Sequence, residues 1–184
     1  MRVIAGEAKG RKLLSVSGQV TRPITDRVKK SLFDILGGQV VNALFLDLFA
    51  GTGSVGIEAL SRGARRAVFV ERGRQALKVI TENLKRTGLA DRAQVVSSDV
   101  FKFLREEFDE KFDLIYIAPP QYKGLWAKTL LALDEREMLA DEGLIVAQIH
   151  PKEFASLDLK LLQLADQRQY GSTLLCFYAR PETG

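Results

Sequence analysis

A glycine-rich segment and a nearby acid have the residue types and spacing of a ligand-binding turn. Gly51, Gly53 and Gly56 follow a short apolar run and match the spacing G-x-G-x-x-G, which lets a ligand approach the backbone where a strand turns into a helix. Asp47 lies near the end of that run, where a carboxylate would face a cation such as the ammonium group of an amino acid. The predicted binding loop consists of Phe49, Ala50, Gly51, Thr52 and Gly53.

Two later strand ends carry groups that suit a nucleoside. Glu71, followed by Arg72, ends the second predicted strand, where an acid accepts hydrogen bonds from both hydroxyls of a ribose. Ser98 and Asp99 end the third strand, where Asp99 would accept from the amino group of an adenine while Val100 packs against the ring. Because the carboxyl ends of parallel strands meet at one edge of a sheet, the sequence predicts a socket for a nucleoside with an amino-acid tail.

Two other interpretations of the glycines stay open. The glycines could serve only to pack a helix closely on a strand, with the acids exposed at the strand ends. A dinucleotide dehydrogenase would share the glycine spacing. However, a nicotinamide needs no acid at position 47, and 184 residues leave no room for a separate substrate domain. The nucleoside socket is the favoured interpretation because four features occur together, at positions 47, 51–56, 71 and 99.

A proline-rich turn after the fourth predicted strand has the groups that methylation of an exocyclic amine requires. Pro119 and Pro120 have a fixed φ and no N–H, so the carbonyl groups of Ala118 and Pro119 are available to accept hydrogen bonds from an amine in the crevice. Tyr122 offers a flat face on which a base can stack. A sulfonium methyl in line with the amine nitrogen would complete the reaction without a metal. An isolated Pro-Pro pair would otherwise indicate only a rigid turn, but its place after the fourth strand favours catalysis by Ala118, Pro119, Pro120 and Tyr122.

The strands that must position these groups are short apolar runs near 43–48, 67–71, 93–97, 112–117 and 143–149. They alternate with helical segments at 54–62, 74–87, 100–107 and 123–133, which is typical of a parallel sheet wrapped by helices. Runs at 159–164 and 173–179, joined by a turn at 169–172, predict an antiparallel pair at the end of the sheet.

The region before the sheet is predicted to be a basic extension. Segments 2–5 and 12–16 predict a small hairpin, and 25–36 predicts a helix. The first 30 residues hold eight basic and two acidic residues, whereas acids outnumber bases in the remainder. Clustered Lys and Arg suit contact with nucleic-acid phosphates, although a solvated extension would have the same charge. We therefore predict one α/β domain over 1–184, made of an extension (1–38) and a binding core (39–184).

Composition excludes several other classes of protein. Hydrophobic residues make up 46% of the chain, which is a globular composition. No apolar run approaches the roughly 20 residues of a membrane span, and charges stand where a signal peptide has its apolar stretch. One cysteine (Cys176) and one histidine (His150) suit neither a disulfide nor a zinc site. We therefore expect a cytoplasmic protein with no membrane association and no metal.

The segment 47–64 resembles motif I of class I S-adenosylmethionine-dependent methyltransferases. More narrowly, it is similar to the RsmD-type enzymes, which methylate the N2 amine of a guanine in bacterial small-subunit ribosomal RNA. Segments 22–33 and 170–173 extend the resemblance to nearly the whole chain. It implies a Rossmann-like sheet of seven strands with the last antiparallel, S-adenosylmethionine as cofactor and 16S ribosomal RNA of the small subunit as partner. We expect a monomer whose RNA contacts are Lys9, Arg11, Arg22, Thr25, Arg27, Lys29 and Lys30.

One position departs from the family pattern. The fourth motif of the family reads Asp or Asn, Pro, Pro, aromatic, but this chain has Ala118, and Gln121 precedes Tyr122. Loss of a charged acceptor costs about 1.5–3 kcal/mol, which corresponds to about one to two decades in rate. We hypothesise that the carbonyls of Ala118 and Pro119, aided by Gln121, align the amine. An adenine-N6 methyltransferase and a non-catalytic ribosome-assembly factor remain alternatives.

Overall fold

A twisted sheet forms the centre of the computed structural model, which describes residues 1–18 and 23–182. Its strands are β1 (Leu44–Leu48), β2 (Arg66–Glu71), β3 (Ala93–Ser97), β4 (Phe112–Ile117), β5 (Leu139–Ile149), β6 (Gln163–Tyr170) and β7 (Thr173–Ala179). They lie in the order β3-β2-β1-β4-β5-β7-β6. The first five strands are parallel, and β7 runs antiparallel to both β5 and β6. This confirms the predicted seven-stranded α/β sheet with an antiparallel end.

Helices cover both faces of the sheet. They are α1 (Asp26–Leu36), α2 (Ser54–Ser61), α3 (Arg74–Thr87), α4 (Val100–Leu104) and α5 (Leu125–Asp134). Alternate strand residues point to opposite faces, so Phe45 packs in the cluster of α1, α2 and α3, whereas Leu44 and Leu46 pack in that of α4 and α5. None of the helices in the described ranges is long and apolar enough to cross a bilayer.

The order in which successive strands are added to the sheet reverses at β1. From β1 the sheet continues through β2 to β3 on one side and through β4 to β5 on the other. Such a point leaves a crevice outside the carboxyl ends of the strands, because the connecting helices depart to opposite faces. The segments after β1, β2, β3 and β4 therefore converge at one edge.

The predicted N-terminal hairpin is much smaller than expected. One antiparallel bridge between Arg2 and Lys12 replaces two strands over 2–5 and 12–16. The segment instead packs on α2, where Gly6 adopts φ +86° and a Cβ atom would lie 1.9 Å from the carbonyl oxygen of Ser61. Only glycine fits so close to that helix. A short hairpin, with backbone hydrogen bonds between 1–3 and 10–13, and the close packing on α2 thus together determine the path of this segment.

The prediction for β6 was wrong in position. The apolar run 159–164 is mostly loop, because the carboxylate of Asp134 accepts hydrogen bonds from the backbone N–H groups of Lys160 (2.6 Å), Leu161 (2.8 Å) and Leu162 (2.9 Å). The strand starts at Gln163 and includes the first residues of the predicted turn. It is a largely exposed edge strand, so it lacks the apolar pattern of a buried strand. Smaller differences are that β5 starts at 139 and α4 ends at 104.

Candidate active site

Two adjoining cavities open at the carboxyl ends of the parallel strands. One, of about 80 Å³, is lined by Asp47, Phe49, Ala50, Gly51, Thr52, Tyr116, Ala118, Pro119, Gln121 and Gln148, among others. The second, of about 170 Å³, is lined by residues that include Phe49, Gly51, Glu71, Arg72, Ser98, Asp99, Val100, Ala118 and Pro120. The structure therefore brings together the residues predicted to bind the cofactor, except Gly53, and three of the four predicted catalytic residues.

The loop after β1 is held in an unusual backbone conformation. Phe49, Gly51 and Gly53 all have positive φ angles, of 60°, 58° and 77°. For a non-glycine residue such as Phe49, this region is uncommon and is favoured only when the surroundings require it. Gly53 does not line either cavity but closes the turn, because its N–H donates to the carbonyl of Ala50 at 2.8 Å.

Gly56 serves the packing of α2 on the sheet. A Cβ atom at this position would lie 2.4 Å from the ring of Phe69 on β2. Glycine is thus required for the close approach of helix and strand, as in other glycine-rich turns of this kind. Gly56 therefore has a packing role, so part of the glycine pattern is structural rather than ligand-binding.

Glu71 fixes the same loop from the end of β2. Its carboxylate accepts hydrogen bonds from the N–H groups of Gly51 (2.8 Å), Arg72 (2.9 Å) and Gly73 (2.9 Å). A carboxylate has about four acceptor sites. With three already occupied, Glu71 has room for about one ribose hydroxyl rather than the two expected from the sequence.

Asp99 both caps a helix and faces the second cavity. One carboxylate oxygen accepts from the N–H groups of Phe101 (2.9 Å) and Lys102 (3.1 Å) at the start of α4. The other oxygen lies 3.9 Å from the guanidinium of Arg72. Val100 is buried beside it and lines the cavity, so an acceptor and an apolar surface lie next to each other as an adenine requires.

Asp47 is a buried acid in contact with the first cavity. Its carboxylate is 1% exposed and accepts one hydrogen bond, from the N–H of Gly56 at 3.1 Å. Burial raises its pKa well above the usual range, an effect that the Gly56 hydrogen bond opposes and the charge of Glu71 strengthens. A ligand cation placed in the cavity would favour the ionised form, because opposite charges attract strongly where water is excluded.

The proline turn presents Tyr122 at the surface. Tyr122 has φ 61° and a side chain that is 63% exposed, and it lines neither of the two cavities. Its backbone N–H donates to the Glu153 carboxylate at 2.6 Å, and its ring centroid lies 5.5 Å from that of His150. Glu153 also accepts from the N–H of His150 at 3.1 Å. The turn after β5 therefore supports the turn after β4.

Sequence reasoning missed the role of Glu153. The available signal was the capping pattern of His150, Pro151 and Glu153 at the start of a short 3₁₀ turn. That pattern predicts the local turn, but it does not reveal the contact with Tyr122, which is 31 positions away.

A third cavity, of about 580 Å³, adjoins the first and shares Pro23, Gln121 and Gln148 with it. Its other walls come from Thr25 and Arg27 in the N-terminal region, from His150, and from residues 170–173. The structure thus brings together the two outlying segments of the sequence resemblance, 22–33 and 170–173, as far as they are described. The hydroxyl of Tyr116 also donates to the side-chain oxygen of Gln148 at the junction of the cavities.

The seven predicted RNA contacts differ in where the structure places them. Five of the seven residues have exposed positions: Lys9, Arg11, Thr25, Arg27 and Lys30. Arg22 lies outside the described residues. The prediction for Lys29 was wrong, because its side chain is fully buried and donates to the carbonyl of Arg2 (2.7 Å) and the hydroxyl of Ser54 (2.9 Å). Burial lowers its pKa, although nearby Glu58 favours the charged form.

In residues 1–18 and 23–182, no three His, Cys, Asp or Glu side chains are grouped as a metal site would require.

Comparisons with known proteins give consistent matches over the chain. The model of a family described as conserved hypothetical protein 95 matches residues 1–179. The chain is 40% identical to the Bacillus subtilis protein YlbH, over 98% of this chain and 99% of that protein. It is 38% identical to ribosomal RNA small subunit methyltransferase D of Escherichia coli K12, over 80% of this chain and 74% of that protein. The solved structure of the E. coli protein yhhF is similar with a TM-score of 0.86 and 34% identity, covering 98% of this chain and 97% of that one.

Proposed function

Because this chain belongs to the RsmD-type family of class I S-adenosylmethionine-dependent methyltransferases, we propose that it methylates the exocyclic N2 amine of a guanine in 16S ribosomal RNA. One observation carries the proposal. The groups suited to hold the cofactor and the groups suited to align an amine line two adjoining cavities, and Ala118 belongs to both.

The residues at the strand ends fit S-adenosylmethionine chemically. Asp47 offers a carboxylate with few partners to the ammonium group of the methionine tail. Glu71 has acceptor capacity for a ribose hydroxyl, and the second oxygen of Asp99 can accept from the adenine amine. When bound, S-adenosylmethionine supplies an electrophilic methyl group on a positively charged sulfur.

The chain's own contribution to catalysis is alignment. The carbonyls of Ala118 and Pro119 accept hydrogen bonds from the amine and orient its lone pair toward the methyl group. With the cofactor held by Asp47, Glu71 and Asp99, its methyl carbon would pass to the amine nitrogen as the carbon–sulfur bond breaks, and the sulfonium would leave as a neutral thioether. The methylated nitrogen then releases a proton to water, so no side chain with a matched pKa is required.

We assign the third cavity to the acceptor nucleotide. Its volume of about 580 Å³ and its connection to the first cavity through Gln121 and Gln148 suit a base turned out of its RNA surroundings. The exposed Arg27 lies at its wall, where it can contact a phosphate. The exposed ring of Tyr122 lies 5.5 Å from that of His150, which lines this cavity, and offers a stacking surface beside it.

We further propose that the substrate RNA lies within the small ribosomal subunit, and that the protein acts on it in the cytoplasm as a monomer. The basic, exposed residues Lys9, Arg11 and Lys30 would contact RNA phosphates around the target.

The test uses small subunits from a strain that lacks this protein. Purified protein and labelled S-adenosylmethionine are incubated with these subunits or with naked 16S RNA, and the product is digested to nucleosides. We expect label in N2-methylguanosine. Label in N6-methyladenosine would contradict the guanine assignment.

A second candidate is favoured by Ala118, which lacks the side-chain acceptor of the family motif. In that case the protein would bind the cofactor and assist ribosome assembly without methylating RNA. Binding of S-adenosylhomocysteine with no methyl transfer under single-turnover conditions would support this candidate instead.

A further inference from the structure

The side chain of Asn83 joins two segments that are distant in sequence. It lies on α3, is fully buried, and accepts a hydrogen bond from the N–H of Leu14 at 2.7 Å. Its amide nitrogen donates to the carbonyl of Leu14 at 3.1 Å and to the carbonyl of Thr52 at 2.9 Å. One amide group thus connects the N-terminal segment with the loop that lines the first cavity.

Other buried polar groups hold the same N-terminal segment in place. Glu58 on α2 accepts from the N–H groups of Ile4 (2.8 Å) and Ala5 (3.1 Å). The hydroxyl of Ser61 donates to the carbonyl of Ala5 at 2.6 Å and accepts from the N–H of Ala8 at 3.0 Å. Residues 1–14 are therefore hydrogen-bonded to α2 and α3, the two helices that follow the binding loop along the chain.

The binding loop at 49–53 has a backbone conformation that depends on support from its surroundings. Phe49 has a positive φ that is uncommon for a residue with a side chain, and glycines such as Gly51 and Gly53, on either side of Thr52, adopt many backbone conformations unless their surroundings fix one. A loop that must be ordered by its ligand binds more weakly than one that is already in the bound conformation. A hydrogen bond to the Thr52 carbonyl limits this freedom in the middle of the loop.

We propose that residues 1–14 form a structural part of the cofactor site, and that Asn83 is a positioning residue that fixes the Thr52 carbonyl and with it the binding loop. The inference rests on the proposed function, since it takes the loop at 49–53 to bind S-adenosylmethionine. It gives the N-terminal segment a role that its basic residues do not reveal.

The test compares Asn83→Ala with a control that has a similar structural role elsewhere. Asp134 is 2% exposed and binds three backbone N–H groups at 160–162, also across a long sequence separation. It lies at the end of α5, shortly before β5 starts, and hence at the edge of the sheet opposite the cavities. Asp134→Ala should lower the thermal stability as Asn83→Ala does, because both leave buried backbone groups unpaired.

Calorimetric titration of the full-length variants with S-adenosylhomocysteine gives the decisive result. We expect Asn83→Ala to raise the dissociation constant about tenfold, the effect of one lost interaction of ordinary strength, and Asp134→Ala to leave it within about twofold. In methyl transfer, Asn83→Ala should raise KM for S-adenosylmethionine and leave kcat at saturating cofactor nearly unchanged.

A second variant tests the N-terminal side of the connection. Leu14→Pro keeps Asn83 and Thr52 but removes the N–H that Asn83 accepts from. If the segment contributes to the site, this change should also weaken S-adenosylhomocysteine binding. It also provides the test if Asn83→Ala does not fold.

The outcomes separate this inference from the proposed function. If the parent protein does not bind S-adenosylhomocysteine, the proposed function fails. If the parent binds it and the folded Asn83→Ala and Leu14→Pro variants bind equally well, the inference alone is overturned. Equal weakening by Asp134→Ala would also overturn it, because the effect would then be one of general stability.

Discussion

The ammonium group of Lys29 lies 3.5 Å from the carboxylate of Glu58, and both side chains are fully buried. Lys29 also binds the carbonyl of Arg2, while Glu58 forms an ion pair with Arg62 at 3.0 Å. This charged network connects α1 and α2 with the N-terminal segment. A basic residue in the charged extension thus has an internal structural role.

Lys29→Met should destabilise the protein without changing its affinity for RNA. Removal of one partner from a buried ion pair costs about 3–5 kcal/mol. Because Glu58 keeps Arg62 and two backbone N–H donors, we expect the lower end of that range. Urea unfolding would measure the loss, and filter binding at several salt concentrations would measure the affinity for 16S RNA.

Arg27→Ala is the matched comparison, since Arg27 lies two positions away on α1 but is exposed. It should leave the free energy of unfolding within about 0.5 kcal/mol. It should also weaken RNA binding and reduce the salt slope by about one, as expected for one lost phosphate contact. A larger loss of RNA affinity from Lys29→Met than from Arg27→Ala would contradict the assignment.

Asp47→Asn should stabilise the unliganded protein at neutral pH and weaken cofactor binding. Burial raises the pKa of Asp47 in the folded state, so its contribution to stability is fully present below its unfolded pKa and is lost as the pH rises toward the folded value. Asparagine does not titrate, and its side-chain oxygen can still accept from the N–H of Gly56. The stability gain of the variant should therefore increase from about pH 4 upward, since an unperturbed Asp has a pKa near 3.9.

Thermal unfolding at a series of pH values checks the stability effect, and calorimetry with S-adenosylhomocysteine at pH 7.5 checks the binding effect. Asp113→Asn is the control for binding, because Asp113 accepts from the N–H of Leu44 at the opposite end of β1. A variant at Asp47 that binds S-adenosylhomocysteine as well as the parent would show that this acid does not hold the ammonium group.

Glu153→Ala should reduce methyl transfer although Glu153 lines none of the three cavities at the site. Its carboxylate holds the backbone of Tyr122 at positive φ, a conformation that is strained for tyrosine. A hydrogen bond to a charged group contributes about 1.5–3 kcal/mol, so kcat/KM for RNA should fall about ten- to a hundredfold.

Affinity for S-adenosylhomocysteine should remain unchanged in Glu153→Ala, since the loop at 49–53 is not involved. Lys152→Ala, in the same turn, is the control and should retain normal kinetics. If kcat/KM were equal in the parent and Glu153→Ala, Tyr122 would not depend on this support, or would not bind the acceptor base.

The sequence predicts the parts of the structure that depend on local patterns. The central strands are apolar because both faces are covered, so their ends, and with them Asp47, Glu71 and Asp99, could be located along the chain. The edge strand β6 has mostly exposed side chains, and its start was misplaced for that reason.

Contacts between distant residues could not be predicted in the same way. In the sequence, Lys29 cannot be distinguished from its exposed basic neighbours, because its burial depends on the contact with Glu58. The contact of Tyr122 with Glu153 depends on the relative positions of two separate turns. Burial of a charge and support of a strained backbone are properties of the folded arrangement, which a single sequence does not encode in any local spacing.

Ala118→Asp should accelerate methyl transfer. Ala118 lies at the junction of the first two cavities, where the related enzymes are expected to carry Asp or Asn. A charged acceptor for the amine would contribute about 1.5–3 kcal/mol, which corresponds to about a ten- to hundredfold increase in the single-turnover rate. Affinity for S-adenosylhomocysteine should stay within about twofold, because the side chain acts on the acceptor amine.

The companion variant Ala118→Asn separates hydrogen bonding from charge. Its neutral amide oxygen should give an intermediate rate, since hydrogen bonds to neutral groups contribute about half as much as those to charged ones. Rates of labelled methyl transfer to small subunits under single-turnover conditions provide the measurement for all three proteins. A rate that does not increase in either variant would mean that the backbone carbonyls of Ala118 and Pro119 already align the amine fully. A parent without activity beside an active Ala118→Asp variant would favour the assembly-factor alternative, because the fold would then position both substrates but lack the acceptor.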